Sequence, residues 1–287
     1  MPDLPPATLP DDYALTRRGA AAAIAAGYAV LATAAEADPI VTPTTGLIIE
    51  DVTMPGGLPG HVARPAKAGT YPAVIVVSEI FGVHQWIKDV CRRFAQAGYV
   101  AVAPGFFHRA DPENKIVTLT EMSAVREIVN TAGLDQQMGD VKTTVDWLAD
   151  QLFAARGRTA ITGFCWGGSV TWMAAAQVPG LRAGGAWYGR LSGGTDTSRP
   201  YPLTSVDKLG APVLGLYGAR DKGIPVTDVE AMNAALKGST NPNARASRIE
   251  LYADADHGFL ADYRPSFNEA AAKDAWGKMM AHFKQHV

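Results

Sequence analysis

Thr159-Ala160-Ile161-Thr162-Gly163-Phe164-Cys165-Trp166-Gly167-Gly168-Ser169-Val170 joins a short apolar strand to the start of a helix through Gly-x-Cys-x-Gly-Gly. A strand that turns this sharply into a helix leaves no room for bulky neighbours, which accounts for glycine at 163 and 167. The turn lifts the central side chain above the strand edge and sets it at a helix N-terminus. There the positive end of the helix dipole favours a thiolate. Gly-x-Cys-x-Gly alone is a weak motif, since glycine is common and cysteine is often just a buried apolar residue. The strand before it and the helix after it give it weight. The other cysteine, Cys91, lies mid-helix between Val90 and Arg92 and reads as structural.

The same alternation of strand and helix extends outward from this turn. Upstream, Tyr71–Val77 is a continuous apolar run, as expected of a parallel strand buried on both faces. Apolar residues at Trp86, Ile87, Val90, Phe94 and Ala97 fall at helical spacing and stop at Gly98. Leu47–Met54 and 60–64 predict two early strands around Pro55-Gly56-Gly57, and 99–103 a further one. A long helical region spans 119–153 with a break near Gly133. Downstream, strands are expected at 183–187, 212–217 and Arg248–Tyr252, with a closing amphipathic helix over 266–285. Repeated strand–helix units predict an α/β fold, a mostly parallel central sheet flanked by helices.

The chain has 287 residues, 47% of them hydrophobic, enough to bury a sizeable core and to exclude wholesale disorder. Its net charge of −2 gives no overall pull toward nucleic acid or anionic lipid. Two cysteines are too few for a disulfide framework or a four-thiolate zinc site. One domain is expected over 46–287. Residues 1–45 differ: a proline-rich start, then Arg17-Arg18 ahead of an alanine-rich run. That pattern fits a twin-arginine export signal and equally an N-terminal helix packed on the domain. It is too short and too rich in alanine for a transmembrane span. The cytoplasm is the expected location, with the periplasm as the alternative.

A cysteine nucleophile in such a fold needs a histidine base and a carboxylate to orient it, in the chain order nucleophile, acid, histidine. After the strand at 212–217 comes Gly218-Ala219-Arg220-Asp221. After Arg248–Tyr252 comes Ala253-Asp254-Ala255-Asp256-His257-Gly258-Phe259. Of six histidines, only His257 sits in the loop after the final strand with glycine beside it. Asp254 and Asp256 compete with Asp221 as the acid, but their nearness to His257 makes the approach to Nδ1 awkward. A metal site from Asp254, Asp256 and His257 lacks a second cluster of ligands.

Taken together, Ser78-Glu79-Ile80-Phe81-Gly82, the Cys165 turn, Tyr188-Gly189, Gly218-Ala219-Arg220-Asp221 and His257-Gly258-Phe259 resemble the dienelactone hydrolase (carboxymethylenebutenolidase) family, over about residues 46–287. The resemblance implies an α/β-hydrolase fold, a Cys165–Asp221–His257 triad and a Glu79 that accompanies the resting thiol. It implies an oxyanion hole from the Ile80 and Trp166 amides. It also implies substrate contacts at Tyr188 and at arginines that grip a substrate carboxylate. Arg109 is the candidate for the first arginine. The position of the second is Ala261, with Arg264 three residues further on. With one arginine missing, neutral esters or lactones are expected to be hydrolysed at least as well as anionic ones.

The expected function is thus a cysteine-dependent hydrolase of small carboxylic esters or lactones, acting through an acyl-enzyme without metal or cofactor. The same triad would serve a cysteine peptidase or acyltransferase, which needs a groove or a second acceptor. A non-catalytic binding protein of this fold would more readily lack a triad member, and none is missing.

Overall fold

The computed structural model describes residues 39–287, so the signal-like or helical segment expected near Arg17-Arg18 lies outside the described residues. Eight strands form one sheet among the described residues: β1 (Leu47–Met54), β2 (Leu58–Pro65), β3 (Tyr71–Val77), β4 (Val100–Pro104), β5 (Ala154–Phe164), β6 (Leu181–Trp187), β7 (Val213–Gly218) and β8 (Arg248–Tyr252). Their order is β1-β2-β4-β3-β5-β6-β7-β8. β1 and β2 pair antiparallel, as do β2 and β4, and every later pairing is parallel. The helices are α1 (Gln85–Gln96), α2 (Met122–Thr131), α3 (Leu134–Ala149), α4 (Trp166–Gln177), α5 (Val226–Gly238), the single turn α6 (Pro242–Arg245) and α7 (Glu269–His286). None of them is long and apolar enough to cross a membrane.

β3 shows why the sheet is sandwiched. Its side chains alternate between faces. Val74 and Val76 join a core with Trp86 and Phe94 of α1, Met232 of α5 and Phe283 of α7. Ala73, Ile75 and Val77 join a second core with Val141 of α3 and Met173 of α4. All five β3 residues have no exposed surface, and burying each of the larger ones contributes about 1.5–3 kcal/mol. A continuous apolar run is what two covered faces require. Cys91 is likewise fully buried within α1.

The differences from expectation are local. The helical region breaks at Gly133 as expected, with Gly133 capping α3, but it starts later, at Met122, and ends earlier, at Ala149. β5 starts at Ala154 rather than Thr159, because its polar opening still pairs with β3 across a register shift. α7 starts at Glu269, where the Asn268 side chain accepts from the Ala271 amide. Thr42, ahead of β1, donates its amide and hydroxyl to Asp89 of α1 at 2.7 and 3.1 Å.

Candidate active site

β5 ends at Phe164, and Cys165 follows with φ 55° and ψ −114° before α4 begins at Trp166. A positive φ is costly for a residue with a Cβ. The surroundings enforce it: a Cβ on Gly163 would lie 2.2 Å from the Gly167 carbonyl oxygen, and one on Gly167 would lie 2.5 Å from the Val77 and Ser78 carbonyl oxygens. The start of α4 is therefore pressed against the end of β3. This brings the Trp166 amide, which as the first of a helix has no intrahelical partner, to the same edge as Ile80.

Asp221 follows β7 and His257 follows β8. His257 Nδ1 lies 2.7 Å from Asp221 Oδ2, and the other Asp221 oxygen accepts from the Gly223 amide at 2.8 Å. A carboxylate only accepts, so Nδ1 carries a proton and Nε2 is left for the thiol. Burial favours the neutral imidazole, but the hydrogen bond to Asp221, then the contact with Cys165, outweigh it and push His257 up to about 10. The competing acids are occupied elsewhere: Asp254 pairs with Arg220, and Asp256 accepts from the His257 amide. Cys165, His257 and Asp221 thus meet at the carboxyl edge of the sheet, from loops spread over about ninety residues. A thiol, an imidazole and a carboxylate so arranged can pass a proton from sulfur to nitrogen.

Glu79 stands apart from this line. It is fully buried, and its oxygens accept from the Tyr263 hydroxyl at 2.6 Å and from Arg264 Nη2 at 2.8 Å, with His84 Nε2 at 3.5 Å. Its hydrogen bonds go to these partners and not to the thiol. Burial would raise its pKa, but the Arg264 charge, followed by His84 and Tyr263, holds it down to about 2. A guanidinium is a far stronger partner for a buried carboxylate than a thiol is, and in this structure Glu79 is held by Arg264. Arg264 is equally committed, so it is not a free grip for substrate. Arg109 is held bidentate by Asp140 of α3 at 2.8 and 2.9 Å and does not line the cavity over Cys165. Only the fold brings Asp140 to it.

That cavity, of about 490 Å³, opens over Cys165, Trp166, Tyr188 and His257. Its wall holds two arginines that sequence reasoning missed, Arg190 and Arg199, and no aspartate or glutamate. Arg199 stacks on the Tyr201 ring at 4.3 Å. Arg190 had a usable signal, since it follows β6 at the carboxyl edge, where open parallel sheets bind ligands. Among the described residues, no group of three or more His, Cys, Asp or Glu is placed to hold a metal.

The Dienelactone hydrolase family model matches residues 58–287. A Methylorubrum extorquens protein named "Putative carboxymethylenebutenolidase" is 41% identical over 274 residues, covering 93% of this chain and 91% of that protein. A Bradyrhizobium protein named "Probable 2-oxo-3-(5-oxofuran-2-ylidene)propanoate lactonase" is 29% identical over 229 residues, covering 79% and 89%. The crystal structure of a "Putative Dienelactone Hydrolase" from Klebsiella pneumoniae superposes with a TM-score of 0.77 at 41% identity, covering 84% of this chain and 99% of that one. Sheet, turn and relatives agree: this chain belongs to the dienelactone hydrolase family, with an α/β-hydrolase fold.

Proposed function

We propose that this hydrolase cleaves small carboxylic esters or lactones through a thioester on Cys165. The observation that carries this is the Cys165 turn facing a His257 whose other nitrogen is held by Asp221. His257 Nε2 takes the proton from Sγ, and the sulfur attacks the substrate carbonyl. The Ile80 and Trp166 amides receive the charge that develops on oxygen. Collapse of the tetrahedral adduct expels the alkoxide, which takes the proton from His257. Water, deprotonated by the same imidazole, then releases the acid and restores the thiol. In a lactone the leaving oxygen stays tethered to the acyl group.

The cavity's size suits a small molecule rather than a peptide chain. Its two arginines and absence of carboxylates favour an anionic substrate, against the expectation that neutral substrates are hydrolysed at least as well. The substrate in the Bradyrhizobium relative's name is a lactone bearing a carboxylate. The test is p-nitrophenyl acetate turnover by wild type and Cys165→Ala, with the mass of the Cys165 peptide recorded during turnover. Loss to background and an acylated wild-type peptide are expected. Near-normal turnover by Cys165→Ala would refute the assignment.

A further inference from the structure

The cavity over Cys165 has direction as well as volume. Cys165, Trp166, Ser169, Val170 and Met173 all line it, and residues spaced in this way share one face of α4. The cavity therefore follows α4 from the nucleophile for about two turns, or about 12 Å. Its sides differ in character. Val129 of α2 and Leu134 of α3 line it together with Val170 and Met173, an apolar surface. The loop after β6 supplies Arg190 and Arg199, neither of which makes an ion pair with a described residue. That loop is braced at both ends. The Ser169 hydroxyl donates to the Arg190 carbonyl at 2.7 Å, which ties the backbone of the first arginine to α4 one turn past Cys165. Tyr201 donates its hydroxyl to Asp196 at 2.6 Å and its amide to the Thr204 hydroxyl at 3.0 Å, and its ring carries the Arg199 guanidinium. Holding both arginines before a ligand arrives lowers the cost of ordering them when it binds.

We propose that the substrate is a half-ester of a dicarboxylic acid, or a lactone acid of like shape, whose apolar chain lies along α4 and whose free carboxylate meets Arg190 and Arg199. The acyl half stays bonded to sulfur while the alcohol leaves, so the half held along α4 is the acyl half. Leu134 is then a contact for the chain. Ser169 and Tyr201 are positioning residues, which act on the substrate's charge only through the two arginines.

This assignment rests on ester hydrolysis at Cys165, which p-nitrophenyl acetate reads without regard to chain or charge, so the two readings fail separately. The full chain is compared on p-nitrophenyl acetate, p-nitrophenyl hexanoate and the mono-p-nitrophenyl ester of adipic acid. The last two have equal chains and differ by a terminal carboxylate. kcat/KM should rise about 10-fold from acetate to hexanoate. It should rise about two- to five-fold again to the adipate ester, a gain that shrinks at high salt. Leu134→Ser should lower the hexanoate-to-acetate ratio about two- to five-fold. Ser169→Ala and Tyr201→Leu should each lower the adipate-to-hexanoate ratio about two-fold, and Tyr201→Phe, which keeps the ring, should restore it. A merely structural role would lower the two long esters alike and leave that ratio unmoved. Acetate turnover with no gain for the longer or the charged ester overturns this proposal alone. So does an adipate-to-hexanoate ratio that neither Ser169→Ala nor Tyr201→Leu alters. A wild type that fails on acetate overturns the reading beneath it.

Discussion

Two carboxylates, Glu79 after β3 and Asp221 after β7, end their strands at the same edge of the sheet, and their side chains are 0% and 2% exposed. Each has a basic side chain as its main partner, yet they do opposite things. Glu79 faces a guanidinium, which does not release its proton at any pH a protein survives, so that pair is a fixed charge. Asp221 faces an imidazole, whose second nitrogen is free to exchange a proton with Cys165. Burial and position do not distinguish the two acids. The partner does.

The comparison breaks most visibly at Asp221. Asp221→Asn should lower kcat by about 10⁴-fold, since the amide admits the wrong His257 tautomer and removes support for the imidazolium. A loss of that size from Asp256→Asn instead would reverse the roles. The same variant carries a pH signature. His257 is raised to about 10, so the pair's contribution to stability is complete below about pH 6.5 and disappears as pH rises toward 10. The difference in urea midpoint between wild type and Asp221→Asn should therefore be widest near pH 6 and close by pH 10.

At the fixed pair the expected effect is on folding. Arg264→Ala leaves a fully buried carboxylate without its guanidinium and should cost about 3–5 kcal/mol in chemical denaturation. Adding Glu79→Gln should recover most of that loss, because the stranded charge is gone. If Arg264→Ala is as stable as wild type, the pair is not what holds Glu79. The smallest effect is at the cavity wall. Arg190 and Arg199 are exposed, so alanine at either should lower the kcat/KM ratio of an anionic to a matched neutral ester by only roughly two- to five-fold. An unaltered ratio in the double variant would mean that the substrate's charge is read elsewhere.

The places of the strands along the chain and the residues just past their ends were legible because they are written locally, whereas the order β1-β2-β4-β3 in the sheet was not. An apolar run marks a doubly covered strand, glycines mark the turn, and the residue just past a strand end arrives where the strand points. The Arg109–Asp140 and Glu79–Arg264 pairs were not legible. Each joins residues far apart in sequence whose nearness depends on how α3, or the loop after β8, settles on the sheet. Arg109 and Arg264 could be recognised as cations worth noticing, but not assigned their partners. Tyr188 stood out only as part of a motif, and its unpaired hydroxyl becomes visible once its surroundings are known.

The spacing along the chain has a consequence for the moment of synthesis. His257 is made about ninety residues after Cys165, and α7, whose Met279 and Phe283 pack against Gly185 of β6, is made later still. At 5–20 residues per second, a ribosome takes roughly 5 to 20 seconds to cover that interval. Asp221 is made partway through it, but the imidazole is made only at its end, so throughout it the emerging thiol has no base. On the proposed mechanism, the nascent chain is thus kept inert by the order of its residues, and its reactivity arrives with the last elements to leave the ribosome.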